Sequence, residues 1–471
     1  MPDRSPTLAA LQAWLAQVYG GRRTLLAFDV SASTTSLARE LSALGAGPLA
    51  VLAAREGIGT GPELPTRVVG AVGGDMMETL RAGEAALSSL QGADLDWLDA
   101  WDPDRGARVI RTLFSDGAPV GGRPSFGARP AAWQALEDKT TVDALWDAVG
   151  VPRAPSAVVP ATGPALRAAH AALDQGAGTV WAADNKRGWH GGANGLRWAR
   201  PGADLDALVA FFEERADSVR VMPFIEGVPC SVHGIVAPTT EGRVEVIALR
   251  PCEMLVLRRP GEARFVYCSV GTFWDPPAAD RAGLRALAKA VGAALHARLG
   301  YRGTFTIDGV MGAEGFRPTE LNPRFGGAIA AMGSGLGLPL YLLHLALVEG
   351  VPLPVPAADL EAELLAAADQ TRVGGALAEL PTPQQTRTLR LVAEEEGWRA
   401  ATTEEAPAVT VHIGPWPSGG MLRANFAPTG APVGPPLAHS LVRLLRWLDA
   451  AEQLGIGALE AAQERRFPPP A

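Results

Sequence analysis

The stretch Thr306-Ile-Asp308-Gly-Val-Met-Gly-Ala-Glu-Gly-Phe-Arg-Pro-Thr-Glu320-Leu-Asn322-Pro-Arg324-Phe-Gly-Gly327 carries most of the fold's signature. An apolar run ends at Val310 and Met311, a glycine-containing turn follows, and a second run returns into Glu320, the pattern of a β-hairpin. Asp308 falls near the end of the first strand. Glu320 and Asn322 are two apart on the second and so project from one face. A hairpin brings the three together as two carboxylates and an amide oxygen, a hard donor set suited to Mg²⁺, or to Mn²⁺ as the alternative, beside nucleotide phosphates. Arg324 adds a planar fork for a transferring phosphoryl group or a carboxylate. A hairpin whose polar residues merely face water would share the pattern, so other parts of a site have to be found elsewhere in the chain.

Upstream, Thr179 to Ala183 reads as a strand leading into Asp184-Asn-Lys186-Arg-Gly188-Trp189-His190-Gly191-Gly192-Ala-Asn-Gly195. Four glycines in so short a loop let the backbone fold over phosphates and aim N–H groups at them. Trp189 and His190 either cap a substrate on closure or anchor the loop by packing. The 42 basic residues include only three lysines, Lys139, Lys186 and Lys289. Where coding bias replaces Lys by Arg wherever either serves, the lysines that remain are enriched at sites needing a compact point charge.

Glu-x-Asn-Pro-Arg after a strand bearing Asp resembles the ATP-grasp enzymes, and the order of the upstream elements fits. The resemblance implies that Lys139, in an Asp-Lys segment opening a helix from Trp133 to Ala148, and Lys186 are the two ATP lysines. It makes Gly188, Gly191, Gly192 and Gly195 the mobile lid over ATP. Residues 219 to 236 would be the hinge gripping adenine, through the Pro223 carbonyl and the Ile225 N–H, with Phe224 and Glu226 in the same segment. Two departures stand out: Met222 replaces an acidic residue before the hinge, and Pro229 replaces the one that holds the ribose, leaving Glu226 or His233 for that role. Asp308, Glu320 and Asn322 become the metal ligands. Arg324, Arg250 and Lys186 become the catalytic cations, Arg250 standing in the apolar run Val244 to Leu257, with Arg258 and Arg259 as further candidates for an anionic group.

The implied fold class is α/β: an ATP-grasp fold of two α+β lobes, preceded by a Rossmann-like α/β domain and followed by a small α+β extension. The expected units are 1–130, 131–220 (small lobe with lid), 221–355 (large lobe with the metal hairpin) and 356–471. The implied activity is an ADP-forming ligase that activates a carboxylate as an acylphosphate and couples it to an amine, with amino acids or short peptides as substrates. A phosphotransferase or non-peptide ligase on this fold, or a silent ATP-binding protein, is the alternative. Within the family, the Arg250-Pro-Cys-Glu-Met strand, the Phe273-Trp-Asp-Pro-Pro loop and a C-terminal strand-turn-strand plus helix most resemble actinobacterial peptide ligases of the pheganomycin-biosynthesis type. No biotin-carrier Met-Lys-Met is present.

Composition agrees with these expectations. A chain of 471 residues exceeds one ordinary core. Its net charge of −8 argues against nucleic acid or a membrane surface as the principal partner. The start, Met-Pro-Asp-Arg-Ser-Pro, lacks a signal-peptide pattern, so a cytoplasmic protein is expected, with a homodimer left open. Cys230, Cys252 and Cys268 lack metal-ligand spacing and read as reduced core residues. Residues 24 to 30, a helix from Ser36 to Leu44 and a strand from Pro48 to Ala53 form a β-α-β start without the glycine fingerprint of a dinucleotide site. Arg123 and Arg129 lie in a Gly/Pro/Arg-rich segment that is either a solvated linker or a wall for an anionic substrate.

Overall fold

A computed structural model describes residues 5 to 463 apart from 58, 72, 74, 75, 113, 114, 116, 187, 189, 396, 417 and 418. The N-terminal sheet holds β1 (Thr24–Val30), β2 (Leu49–Arg55), β3 (Thr66–Val68) and β4 (Arg108–Arg111), all parallel, in the order β3-β2-β1-β4. The helix Thr35–Ala43 crosses from β1 to β2 as its spacing predicts. Arg123 is fully buried and donates to the Asp102 carboxylate and backbone, so it ties this sheet's loops together instead of facing a substrate. Arg129 is likewise committed, to Glu137 and the Pro323 carbonyl.

The small lobe carries β5 (Ala157–Pro160), β6 (Thr179–Ala183), β7 (Leu196–Ala199) and β8 (Ser218–Pro223), antiparallel in the order β5-β8-β6-β7. It encloses its own core around Trp181 and Phe212. The helix expected from Trp133 to Ala148 is divided into Ala131–Gln134, a 3-10 turn and Asp143–Val149. The break has a local cause. Asp138 turns its carboxylate onto the N–H and hydroxyl of Thr140 (2.8 and 2.6 Å), and such side-chain bonds compete with the helical ladder. Lys139 therefore stands in a loop.

The large sheet contains β9 (Gly227–Pro238), β10 (Val244–Ala248), β11 (Cys252–Arg258), β12 (Phe265–Gly271), β13 (Gly303–Gly312), β14 (Gly315–Asn322), β15 (Gly374–Leu380), β16 (Arg387–Glu394), β17 (Gly397–Ala400), β18 (Val409–Trp416) and β19 (Gly419–Phe426). Its order is β14-β13-β9-β11-β12-β15-β19-β18-β16-β17, with β10 beside β9. The C-terminal strands thus continue the large-lobe sheet. The join is a single pair, Gly271 opposite Gly374, and both glycines lie under Leu437, whose Cδ2 a β-carbon would approach to 2.7 or 2.4 Å. Glu253 on β11 seals the joint by accepting from the first N–H groups of the helix Leu437–Glu452, at Leu437 and Ala438 (2.5 and 3.0 Å). The apolar helix Leu340–Val348 is buried except at Tyr341 and joins the N-terminal helix Pro6–Tyr19 in a shared core. The three cysteines are buried and unpaired by disulfide. Among the described residues no helix is long and apolar enough to cross a membrane.

Candidate active site

β13 and β14 hold the acidic residues in register. Asp308 lies opposite Glu320 and Thr306 opposite Asn322, so two carboxylates and the amide share one patch. A bulge follows at once, because the ladder slips between Asp308 and Gly309 and leaves Thr319 as the extra residue on β14. Gly309 permits the slip: a β-carbon there would lie 2.4 Å from the Arg317 carbonyl and 2.5 Å from the Phe316 ring. The polar side chains then orient one another. Ser231 and Asn322 donate to the two Asp308 oxygens (2.5 and 2.8 Å), Arg324 donates to Asn322 Oδ1 (2.9 Å), and Lys139 Nζ stands 2.8 Å from Glu320 Oε1.

Burial, and next the Glu320 carboxylate, push Asp308 well above the usual carboxylate range, against the Ser231 bond, Arg324 and Lys139. Two carboxylates forced together off water, with an amide oxygen beside them, are an acceptor set that a hard divalent cation fits. Among the described residues no group of three or more His, Cys, Asp and Glu converges, so the fit depends on the Asn322 amide oxygen.

These residues line a cavity of about 430 Å³ between the small-lobe sheet and the large sheet. Lys139, Gly191, Gly192, Gly195, Phe224, Ile225, Asp308, Glu320, Asn322 and Arg324 all face it. Lys186, Gly188, Pro223, Glu226 and Arg250 are not among its lining residues. Lys186 is largely exposed, 4.0 Å from Asp184 at the root of the loop. Pro223 ends β8 opposite Thr179. Glu226, one of the two ribose candidates, accepts from Nη1 and Nη2 of Arg258 (2.9 and 2.7 Å), which also removes Arg258 as a free anion receptor. The other candidate, His233, is buried with Nδ1 on the Thr306 hydroxyl and Nε2 on Cys252 Sγ. Desolvation takes its pKa down to about 3, so the ring is neutral.

Arg250 departs furthest from its expected setting. It lies in the turn between β10 and β11, not in a strand, and is buried against Asp275 (2.8 Å) and Asp369. A desolvated guanidinium requires such partners, and they come from sequence positions far away.

The glycine loop is tied at its root. Asp184, fully buried, accepts from Ser218 N at 2.7 Å, and Asp138 Oδ2 accepts from Asn185 N at 3.1 Å while its other oxygen holds Thr140. One carboxylate thereby links the Lys139 loop to the glycine loop. Gly188 (φ 117), Gly192 (φ 58) and Ala193 (φ 66) have left-handed or neighbouring backbone. Trp189 lies outside the described residues. Sequence reading passed over the aromatic shelf just after β8, where Trp198 stacks on Phe224 at 3.8 Å and Phe265 continues the stack, and it passed over Met254 and Tyr267 on the cavity wall. The alternation of β11 and β12 contains that signal, since Met254 pairs with Val270 and Val256 with Tyr267 on the cavity face.

No family model and no curated protein sequence matches the chain. Solved structures do. Carboxyaminoimidazole ribonucleotide synthase from Aspergillus clavatus, complexed with ATP, is similar over 92% of this chain and 99% of that one at 11% identity and a TM-score of 0.51. A biotin carboxylase β-γ-ATP complex from Campylobacter jejuni matches over 86% and 87% at 13% identity and a TM-score of 0.52. Rhizobium etli pyruvate carboxylase matches over 91% of this chain and 37% of that one, at 18% identity and a TM-score of 0.52. At such identities the likeness is one of fold: the chain has the ATP-grasp fold, preceded by a parallel α/β sheet and followed by the C-terminal strands.

Proposed function

We propose that the protein is an ATP-dependent, ADP-forming ligase that activates a carboxylate as an acylphosphate and couples it to an amine, forming amide bonds between amino acids or short peptides. The observation that supports this most is the facing pair Asp308 and Glu320, with Asn322, Arg324 and Lys139 within hydrogen-bond or ion-pair distance, in a cavity closed on one side by a glycine loop. Lys139 and the loop N–H groups bind the polyphosphate, and the hinge at Phe224 and Ile225 receives the base. A divalent cation held by Asp308, Glu320 and Asn322 would neutralise charge on the phosphates. Arg324 steadies charge on the transferring phosphoryl group and then on departing phosphate, so the residues work by positioning and electrostatics. Lys186, exposed on the lid, reaches phosphate on closure, which also excludes water from the intermediate. That two proteins with this fold were solved as complexes with ATP and β-γ-ATP supports nucleotide binding in the cavity.

The test is incubation with Mg-ATP and pooled amino acids and short peptides, with and without hydroxylamine, reading ADP, AMP and hydroxamate. Substrate-dependent ADP together with hydroxamate is expected. AMP instead of ADP would mean adenylation and end the proposal.

A further inference from the structure

The lid carries a histidine that the phosphate chemistry does not use. His190 lines the cavity, and its ring rests on Gly195, where a β-carbon would come within 2.8 Å of Cγ. A hydrogen bond to the Asp184 backbone favours the protonated ring and therefore runs to the carbonyl. Nε2, by contrast, is shielded from solvent and has no hydrogen-bond partner. A neutral imidazole has one donor and one acceptor nitrogen, so the carbonyl takes the Nδ1 proton and Nε2 keeps a bare lone pair. Burial first, then the charges of Arg81 from the helix Met76–Ser88 and of Lys139, hold the ring below its ordinary pKa, against the Asp184 carboxylate. A shielded acceptor left unbonded is destabilising, because it has given up water for nothing. That cost suits a group whose partner arrives with the substrate.

The ligase reading above, on which this inference rests, requires a proton acceptor. An amine must lose a proton as it forms an amide. His233 also lines the cavity, but both its ring nitrogens are bonded. Asp308 and Glu320 belong to the phosphate end, where Lys139 and Arg324 engage the cluster.

We propose that His190 is the general base of the coupling step. The amine lone pair attacks the carbonyl carbon of the acylphosphate and the C–N bond forms. The nitrogen's proton passes to Nε2, the C–O bond to phosphorus's bridging oxygen breaks, and inorganic phosphate departs with the electron pair. The imidazolium, facing Arg81 and Lys139, gives its proton to solvent when the lid opens.

Two measurements test this. In the first, wild type, His190→Ala and His190→Asn are given Mg-ATP and the twenty amino acids, and peptide is compared with hydroxamate made in parallel with hydroxylamine, a weakly basic α-nucleophile whose adduct sheds its proton to water unaided. The peptide-to-hydroxamate ratio is expected to fall at least about 30-fold in both variants, within the usual reach of general-base catalysis, and added imidazole to restore peptide formation in His190→Ala. A parallel fall of both products, an unchanged ratio, or no imidazole rescue overturns the proposal in favour of a packing role. The second measurement is independent of turnover: nitrogen-15 NMR of the histidine rings at neutral pH, with His190 assigned by the signal missing from His190→Asn. A neutral ring protonated at Nδ1 is expected, and an imidazolium or an Nε2–H tautomer overturns it. If wild type forms no ADP, hydroxamate or peptide while the ring shows the expected tautomer, the ligase reading has failed and the base assignment falls with it.

Discussion

The hairpin of β13 and β14 and the loop from Asp184 to Gly195 meet the same cavity but are built on opposite principles. In the hairpin every polar side chain is placed by strand register and then bonded to a neighbour, as in the chain from Ser231 through Asp308 and Asn322 to Arg324. The loop is fixed at its root, by Asp184 and Asp138, and its tip is made of glycine and left-handed backbone. On the proposed function, chemistry that must be positioned to a fraction of an ångström sits on strands, and the part that would admit and enclose a substrate sits where register is absent.

The contrast is broken most severely by removing charge from the hairpin. Glu320→Gln is expected to lower substrate-dependent ADP formation by about 10²–10³-fold with an unchanged melting temperature, read by coupled assay and thermal melt. Asp308→Asn should lose as much activity while melting at or above wild type, because the raised carboxylate pKa marks a group whose charge opposes folding. Next in size is Gly309→Ala. Its β-carbon would meet backbone at 2.4 Å, so the bulge must give way, with a loss of about 2–4 kcal/mol in urea unfolding and of activity together.

Behind the hairpin, His344 accepts from the Thr304 N–H (3.0 Å), and burial lowers its pKa to about 3. Below the unfolded value near 6.5 the unfolded chain binds the extra proton, so stability falls with pH by about 1.4 kcal/mol per unit, from near 6.5 down towards 3. Urea midpoints at pH 7.5 and 5 should therefore differ less in His344→Asn than in wild type. On the lid side, Asp138→Ala is expected to raise the KM for ATP about tenfold, roughly 1.4 kcal/mol, with little change in melting. Smallest is Ala193→Gly, which relieves a φ of 66 and should stabilise by about 0.5–1 kcal/mol, measured by thermal melt.

The same contrast explains what could be read from the sequence. Period-two spacing put Glu320 and Asn322 on one face, and the paired strand supplied Asp308, so the hairpin was legible residue by residue. The parallel start of the chain was legible for the same reason, since burial period and turn residues are local. The break at Asp138 was not read although its cause is local, because apolar helical spacing runs through the Asp138–Thr140 turn that interrupts it; what only the folded lobe reveals is the second bond of that carboxylate, to Asn185. Arg250 and Arg258 were assigned to ligands because Asp275, Asp369 and Glu226 are remote in sequence, and a buried arginine looks alike whether its anion is a substrate or a side chain. The continuity of β12 with β15 rests on one glycine pair and the neighbouring Thr272–Val373 hydrogen bonds, too short a pairing to leave a periodic trace.

The core shared by Leu11, Leu15 and Leu41 with Leu342, Leu343 and Leu364 sets the order of events on the ribosome. The N-terminal helix shares its core with Leu26, Leu41 and Val51 of the parallel sheet layer, but that core is not complete until the helices Leu340–Val348 and Ala357–Gln370 have emerged. The hydroxyl of Tyr19, which donates to the Leu342 carbonyl at 2.6 Å, likewise gains its folded-state partner only then. A module translated early is thus completed late, and a nascent chain stalled near residue 240 presents a sticky leucine surface for chaperones to shield.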